Sequence, residues 1–211
     1  MFKKKILLII FLSLHAVFVF SQAGRGVYRF LELPVSSRAA AVGGFNVSLR
    51  DNDVNFALMN PALLTEETHG VIGLNMANYL AGIKFGSAVY GHNLDENNFL
   101  SFGIQYIDYG KFAGYDELGQ YTEDFTAKDM ALYLNYARPL NDYFTAGATL
   151  KPIFSAYERY SSFGAAMDLG INYNTELISA GLVIKNAGVQ LKGYYSDIDG
   201  QHREPLPFGH D

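Results

Sequence analysis

From residue 71 onward the chain alternates hydrophobic and polar positions in short bursts. Seven segments carry the pattern: 71–79, 83–92, 99–107, 130–138, 144–154, 163–173 and 177–185. Each has nine to eleven residues, whereas ordinary soluble strands average about 5–6. A tilted strand needs about 9–11 residues to cross a bilayer. A period of two sends alternate side chains to opposite faces of a strand. In the sixth segment Phe163, Ala165, Met167, Leu169, Ile171 and Tyr173 share one face, against Gly164, Ala166, Asp168, Gly170 and Asn172. In the fifth, Phe144, Ala146, Ala148, Leu150, Pro152 and Phe154 oppose Thr145, Gly147, Thr149, Lys151 and Ile153. In the seventh, Ile178, Ala180, Leu182 and Ile184 oppose Ser179, Gly181 and Lys185, with Leu177 and Val183 blurring the polar side. One face large and apolar with aromatic ends, the other small or polar, suits the wall of a membrane barrel. A soluble sandwich also alternates, but it turns its apolar face inward and has shorter strands. The pattern favours the barrel.

Connection lengths point the same way. Bacterial barrels have short periplasmic turns and longer external loops. Here 93–98, 139–143 and 174–176 are short, and 108–129, 154–162 and 186–205 are longer. The exception is the short hairpin 80–82 in the first external position. Residues 108–129 are polar and aromatic, with Tyr109, Phe112, Tyr115, Tyr121 and Phe125, and part of this stretch is expected to extend the flanking strands.

Residues 22–70 lack the alternation. Ser36-Ser37-Arg38-Ala39-Ala40-Ala41 is a short helical signal with a serine cap, stopped by Gly43-Gly44. Asn60-Pro61-Ala62-Leu63-Leu64-Thr65-Glu66-Glu67 predicts a second helix, with Asn at the N-cap, Pro at the first turn, early acids and a stop near Gly70. The segment is too small to make a core alone. It is either a periplasmic lead-in or a plug packed inside or beneath the strands.

Composition narrows the setting. The 211 residues include 21 Gly, 15 Tyr, 16 Phe and no Cys, with 49% apolar and 18% charged positions. That excludes disorder, a disulfide framework, thiolate metal sites and a cysteine nucleophile. Lys3, Lys4 and Lys5, the apolar run 6–20 and Ser21 before Gln22 form a secretory signal peptide over 1–21. Losing its three lysines takes the formal charge from −5 to −8. With a pI of about 5.5, nucleic acid is not the expected partner.

Catalytic motifs are missing. No Ser has Lys at +3, and there is no G-x-S-x-G elbow and no P-loop. Asp51, Asp53 and Asn55 begin like a calcium loop, but Phe56 stands where the turn glycine belongs and Ala62 where the bidentate Glu belongs. Turn and cap chemistry accounts for them better. The five histidines show no metal-ligand spacing. The expectation is a protein without catalytic residues, cofactor or metal. Lys84, Lys151 and Asp168 are candidate lumen charges, because charge on a lipid-facing position is costly.

The residues also carry a resemblance. Ser37-Arg38-Ala39-Ala40-Ala41-Val42-Gly43-Gly44, then Asp51-Asn52-Asp53 and Asn60-Pro61-Ala62, resembles the N-terminal hatch of FadL-like outer-membrane proteins. The arrangement is especially similar to that in the PorV/PorQ components of type IX secretion. The stretches 26–34, 125–129, 185–188 and 202–208 resemble PorQ-like members. The resemblance implies an all-β, transmembrane antiparallel barrel of fourteen strands with a small helical hatch. It marks Arg38, Gly43, Gly44, Asp51, Asp53, Asn60, Pro61 and Ala62 as the hatch motif. The implied partition is 1–21 signal peptide, 22–70 hatch and 71–211 barrel strands. The implied function is non-enzymatic: assisting surface attachment of exported cargo in the outer membrane. Implied partners are outer-membrane lipid, PorU-, PorV- and PorZ-like proteins, and lipopolysaccharide. The alternative is a FadL-like transporter of hydrophobic small molecules, with a pocket beside Asn60-Pro61-Ala62. A barrel-borne hydrolase is disfavoured by the missing nucleophile motifs. Seven strands is an odd number, and such barrels close with an even one. The chain is therefore expected to carry the hatch and about half of the wall, stopping as an eighth strand begins near 205–208.

Overall fold

A computed structural model of the chain describes residues 27–116, 118–198 and 202–205. The signal peptide expected at 1–21 lies outside them. The fold is all-β: one antiparallel sheet whose strands lie side by side in chain order. They are β1 (Ile72–Asn78), β2 (Lys84–Asp95), β3 (Asn98–Tyr115), β4 (Tyr121–Pro139), β5 (Phe144–Tyr157), β6 (Tyr160–Asn174), β7 (Ser179–Ile198) and β8 (His202–Pro205). The only α-helix among the described residues is α1, Ser37–Ala41. The outermost strands are β1 and β8, and no pairing joins these two among the described residues.

All seven segments are strands, but their ends differ from the expected ones. β1 has only 7 residues, while β3, β4 and β7 have 18, 19 and 20. Most of the expected long connections are strand. β3 and β4 absorb all of 108–129 except 116–120, β5 and β6 leave only Glu158 and Arg159 between them, and β7 runs on through 186–198. The asymmetry between the two ends of the sheet thus lies in strand overhang, not in loop length. Residues 206–208, where an eighth strand is expected to begin, lie outside the described residues; a short strand instead occupies His202–Pro205, within the expected connection, and pairs with Tyr195–Ile198 of β7.

The sheet's two faces are chemically distinct. On one, Leu74, Tyr106, Leu134, Leu150, Phe154, Leu169 and Leu182 are exposed. On the other lie Ser87, Ser101, Gln105, Asp129, Asn135, Thr149, Lys151, Asp168 and Asn172, all buried. What buries them is the segment 27–70. It forms α1 and short 3-10 turns at Arg29–Glu32, Val54–Leu58, Pro61–Leu63 and Glu66–Thr68, laid over the polar face. Phe30, Leu31, Val35, Val54, Phe56, Leu58, Leu63 and Leu64 of this segment make the core with Val89, Phe99, Ile107, Tyr133 and Ile153 of the sheet. The second helix expected over 60–67 is instead two 3-10 turns. Leu64 adopts an extended conformation (ψ 139°) and Thr65 restarts the chain, although Asn60 caps and Pro61 opens the first turn as its sequence dictates.

Candidate functional site

The hatch motif is one connected unit. Ser36 accepts from Ala39 N (3.0 Å) and caps α1, and α1 stops at Gly43 and Gly44, whose φ of 100° and 81° suit glycine. From α1, Arg38 reaches across to the 51–55 turn. One guanidinium nitrogen bonds Asp51, the other lies 3.4 Å from Asp53 Oδ2, and the group sits 5.4 Å from the Phe56 ring centre. The turn is held by its own carboxylates: Asp53 N donates to Asp51 Oδ1 (3.0 Å), and Asn55 N and Nδ2 donate to Asp53 Oδ1 (3.0 and 2.7 Å). These are the groups that opened like a calcium loop, and Arg38 and backbone amides occupy them. Among the described residues, no cluster of three or more His, Asp or Glu is arranged to hold a metal ion. The chain of bonds continues into the sheet. Asn75 of β1 donates to Asn55 Oδ1 (2.8 Å) and to Ser87 Oγ (3.1 Å), and Ser87 of β2 donates to the Val35 carbonyl (2.6 Å).

Asn60-Pro61-Ala62 docks the far side. Asn60 is fully buried; its Oδ1 accepts from Ala62 N (3.0 Å), and its Nδ2 donates to the Val47 carbonyl (2.7 Å). The docking depends on two glycines. A Cβ on Gly147 of β5 would stand 2.6 Å from the Ala62 amide nitrogen, and one on Gly170 of β6 would collide with Asn60 Oδ1. Backbone approach this close requires the missing side chain. The small face read from the fifth and sixth segments is therefore a seat for segment 27–70.

Two of the three candidate lumen charges meet beneath that seat. Lys151 Nζ lies 2.5 Å from Asp168 Oδ2, both side chains essentially inaccessible to solvent. A bulge in β7 completes the site. Leu169 pairs with Ile184 and Met167 with Ala187, so Lys185 and Asn186 together face Asp168. Asn186, at φ 55°, donates its backbone N–H to Asp168 Oδ1 (2.7 Å) and accepts from Lys151 Nζ (2.8 Å). The Tyr133 ring lies 5.1 Å from the Lys151 nitrogen, and Phe45 lies 5.5 Å from that of Lys185. Lys84 does not join them. It opens β2 on the opposite face, exposed, in a row with Asp108 and Lys128 across three strands.

The structure adds a second buried carboxylate. Asp129 of β4 accepts from Tyr109 and Tyr157 hydroxyls at Oδ2 (2.8 Å each) and from Ser155 at Oδ1. Nearby, Gln190 donates to Ser162 Oγ and Ser162 donates to the Lys192 carbonyl, so Tyr28 donates in its 2.6 Å bond to Ser162. Gln105 donates to the Phe30 carbonyl (2.8 Å) and accepts from Tyr133. The sequence signal for these residues is the alternation Ala127, Asp129, Ala131, Tyr133, Asn135, Ala137 along β4. Taken together, the interface is a hydrogen-bonded seal between segment 27–70 and the sheet, with the Lys151–Asp168 ion pair inside the sheet beneath it. No family model matches the chain, and no curated protein matches it.

Proposed function

We propose that the chain forms the wall and hatch of an outer-membrane β-barrel that serves type IX secretion without catalysis, assisting surface attachment of exported cargo by binding partner proteins. The observation that carries the membrane setting is the geometry of the exposed face. Phe144 and Phe154 stand ten residues apart on β5, facing Tyr173 and Phe163 on β6, with ring pairs at 4.9 and 5.0 Å. Leu150, Met167, Leu169 and Ile171 fill the interval. At about 3.3 Å per residue and a tilt of about 40°, the two aromatic rows are roughly 25 Å apart, the height of a barrel's apolar band. A soluble protein gains nothing by exposing such a band.

The secretion role is supported by the PorQ-like resemblance, whose Arg38, Gly43, Gly44, Asp51, Asp53, Asn60, Pro61 and Ala62 form one bonded unit. The test is a deletion strain assayed for surface-anchored cargo. Cargo should appear in the medium; normal attachment would sink this role. The FadL-like alternative draws on an apolar cavity of about 630 Å³ lined by Phe30, Leu33, Tyr79, Leu80, Ile83 and Ile107. It opens at the first turn of the hatch and not beside Asn60-Pro61-Ala62, which sits tight on Gly147 and Gly170. Defective uptake of hydrophobic compounds, with cargo attached normally, would favour that reading.

A further inference from the structure

The hairpin of β3 and β4 outruns its neighbours. β2 stops pairing with β3 at Lys84 and Asp108, and β5 stops pairing with β4 at Tyr157 and Ala127. β3 and β4 continue to pair from Lys111 and Thr126 to Tyr115 and Tyr121. The last bond on the β4 edge is from Glu158 N to the Thr126 carbonyl (3.0 Å); past it the two strands form a ribbon with no further strand paired to either edge among the described residues. Such a ribbon is marginal in water unless its side chains hold it. Phe112 stacks on Phe125 at 5.3 Å, and Tyr115 meets Tyr121 edge to face at 6.2 Å. Those pairs brace the strands and still leave much of the rings in solvent: Tyr115 is 65% exposed, Tyr121 60% and Leu118 at the tip 82%. The charge is one-sided. Between 111 and 125, Asp116, Glu117, Glu123 and Asp124 face a single cation, Lys111.

We propose that this ribbon is a docking surface for a basic protein face, whose arginine or lysine side chains lie over Tyr115 and Tyr121 and pair with Glu123 and Asp124. Exposed tyrosine rings attract cations through their faces, and carboxylates beside them give guanidinium groups a bidentate acceptor. Tyrosine anchors paired with arginine are what the desolvated centres of protein interfaces favour. Asp116 Oδ1 holds the tip by accepting from Leu118 N and Gln120 N, and Asp124 Oδ1 accepts from the Tyr121 hydroxyl (3.1 Å), which leaves Asp124 Oδ2 and Glu123 to meet a cation. An anionic occupant is excluded by the same charges: the phosphates of lipopolysaccharide would meet a stretch of chain, 111–125, whose formal net charge is −3. The inference uses the outer-membrane reading only for its setting.

The test is site-specific photocrosslinking in living cells of the source strain. A benzoylphenylalanine probe replaces Tyr115 in the full chain, and the same probe at Leu140, at the opposite end of the sheet, is the control. Joined peptides are identified by mass spectrometry. The expected result is an adduct at position 115 to a peptide of net positive charge, absent from the control. Its yield should fall at least about fivefold when Glu123→Lys and Asp124→Lys are introduced, because the complementarity is electrostatic. Both variants lie in an exposed ribbon, and their outer-membrane level confirms folding. Adducts to lipopolysaccharide alone, adducts to acidic peptides, no adduct above the control, or a yield indifferent to charge reversal would each overturn the proposal. Its failure is separable from that of the secretion role. Crosslinking reports the surface, and cargo release in the deletion strain reports the pathway.

Discussion

At the scale of single residues, Lys151 and Asp168 are the most sensitive positions. Neither touches solvent, and each satisfies the other. Removing one partner strands a buried charge, at a cost of about 3–5 kcal/mol, whereas replacing both by apolar residues is far milder. Asp168→Ala should therefore destabilise more than the Lys151→Met/Asp168→Leu pair, as read by denaturant unfolding of the folded protein. A double variant as unstable as the single one would show that the bulge at Asn186, and not the ion pair, holds β6 to β7. Gly170 is sensitive for a steric reason. Gly170→Ala sets a methyl against Asn60 Oδ1, and overpacking of this kind costs about 1–3 kcal/mol. Limited proteolysis of segment 27–70 should accelerate in that variant, and Asn60→Gly, which empties the contested space, should partly restore resistance in the double variant.

At the scale of elements, the anchor between the first hatch turn and β6 should depend on pH. Burial raises the Tyr28 hydroxyl above its ordinary value. A group raised in the folded state contributes fully below its unfolded pKa of about 10 and loses that contribution as pH rises through the folded value. Amide exchange near Phe30 and Leu31 should show protection that falls at alkaline pH. Tyr28→Phe should remove that pH dependence; an unchanged profile in the variant would place the titrating group elsewhere. Period-two alternation made the strands legible, but not their ends. Beyond Lys111 and Thr126 both faces of β3 and β4 meet water, so amphipathic contrast vanishes where the strands continue. The Asn60 cap and Pro61 were legible from local chemistry. The break at Leu64 was not, because seating the Ala62 amide on Gly147 requires it, and Gly147 is far away in sequence. Lys151 and Asp168 could be placed on a polar face from their parity. Their pairing needed the register, in which Lys151 stands opposite Ala166 and Asp168 opposite Thr149. Lys84 went to the wrong face because the second segment alternates poorly, with Gly86 and Ala88 on the side opposite Phe85 and Val89.

At the scale of the whole molecule, a lipid-facing band and a merely exposed one respond differently to charge. Leu150 lies midway between the aromatic rows of β5 and is 52% exposed. In a bilayer, Leu150→Arg should cost about 2–4 kcal/mol; on a water-facing surface it would stay within about 0.5 kcal/mol. Folding equilibria in vesicles separate the two, and a near-zero cost would remove the membrane setting from the proposal. The hatch has a further consequence, for the order in which the molecule can be made. Its bonds to the sheet bridge long stretches of chain: Tyr28 to Ser162, and Ser48 to Asn172 and Ser179, spanning 134, 124 and 131 residues. None can form until β6 and β7 exist, and the glycine seats have nothing to fill them until segment 27–70 is present. Folding dominated by such distant contacts is slow. The earliest segment to emerge must therefore wait as an unfinished nucleus while the later strands are laid around it. Refolding of the full chain should therefore be slow, and a chaperone that holds segment 27–70 and the early strands apart from other chains during that interval should raise its yield.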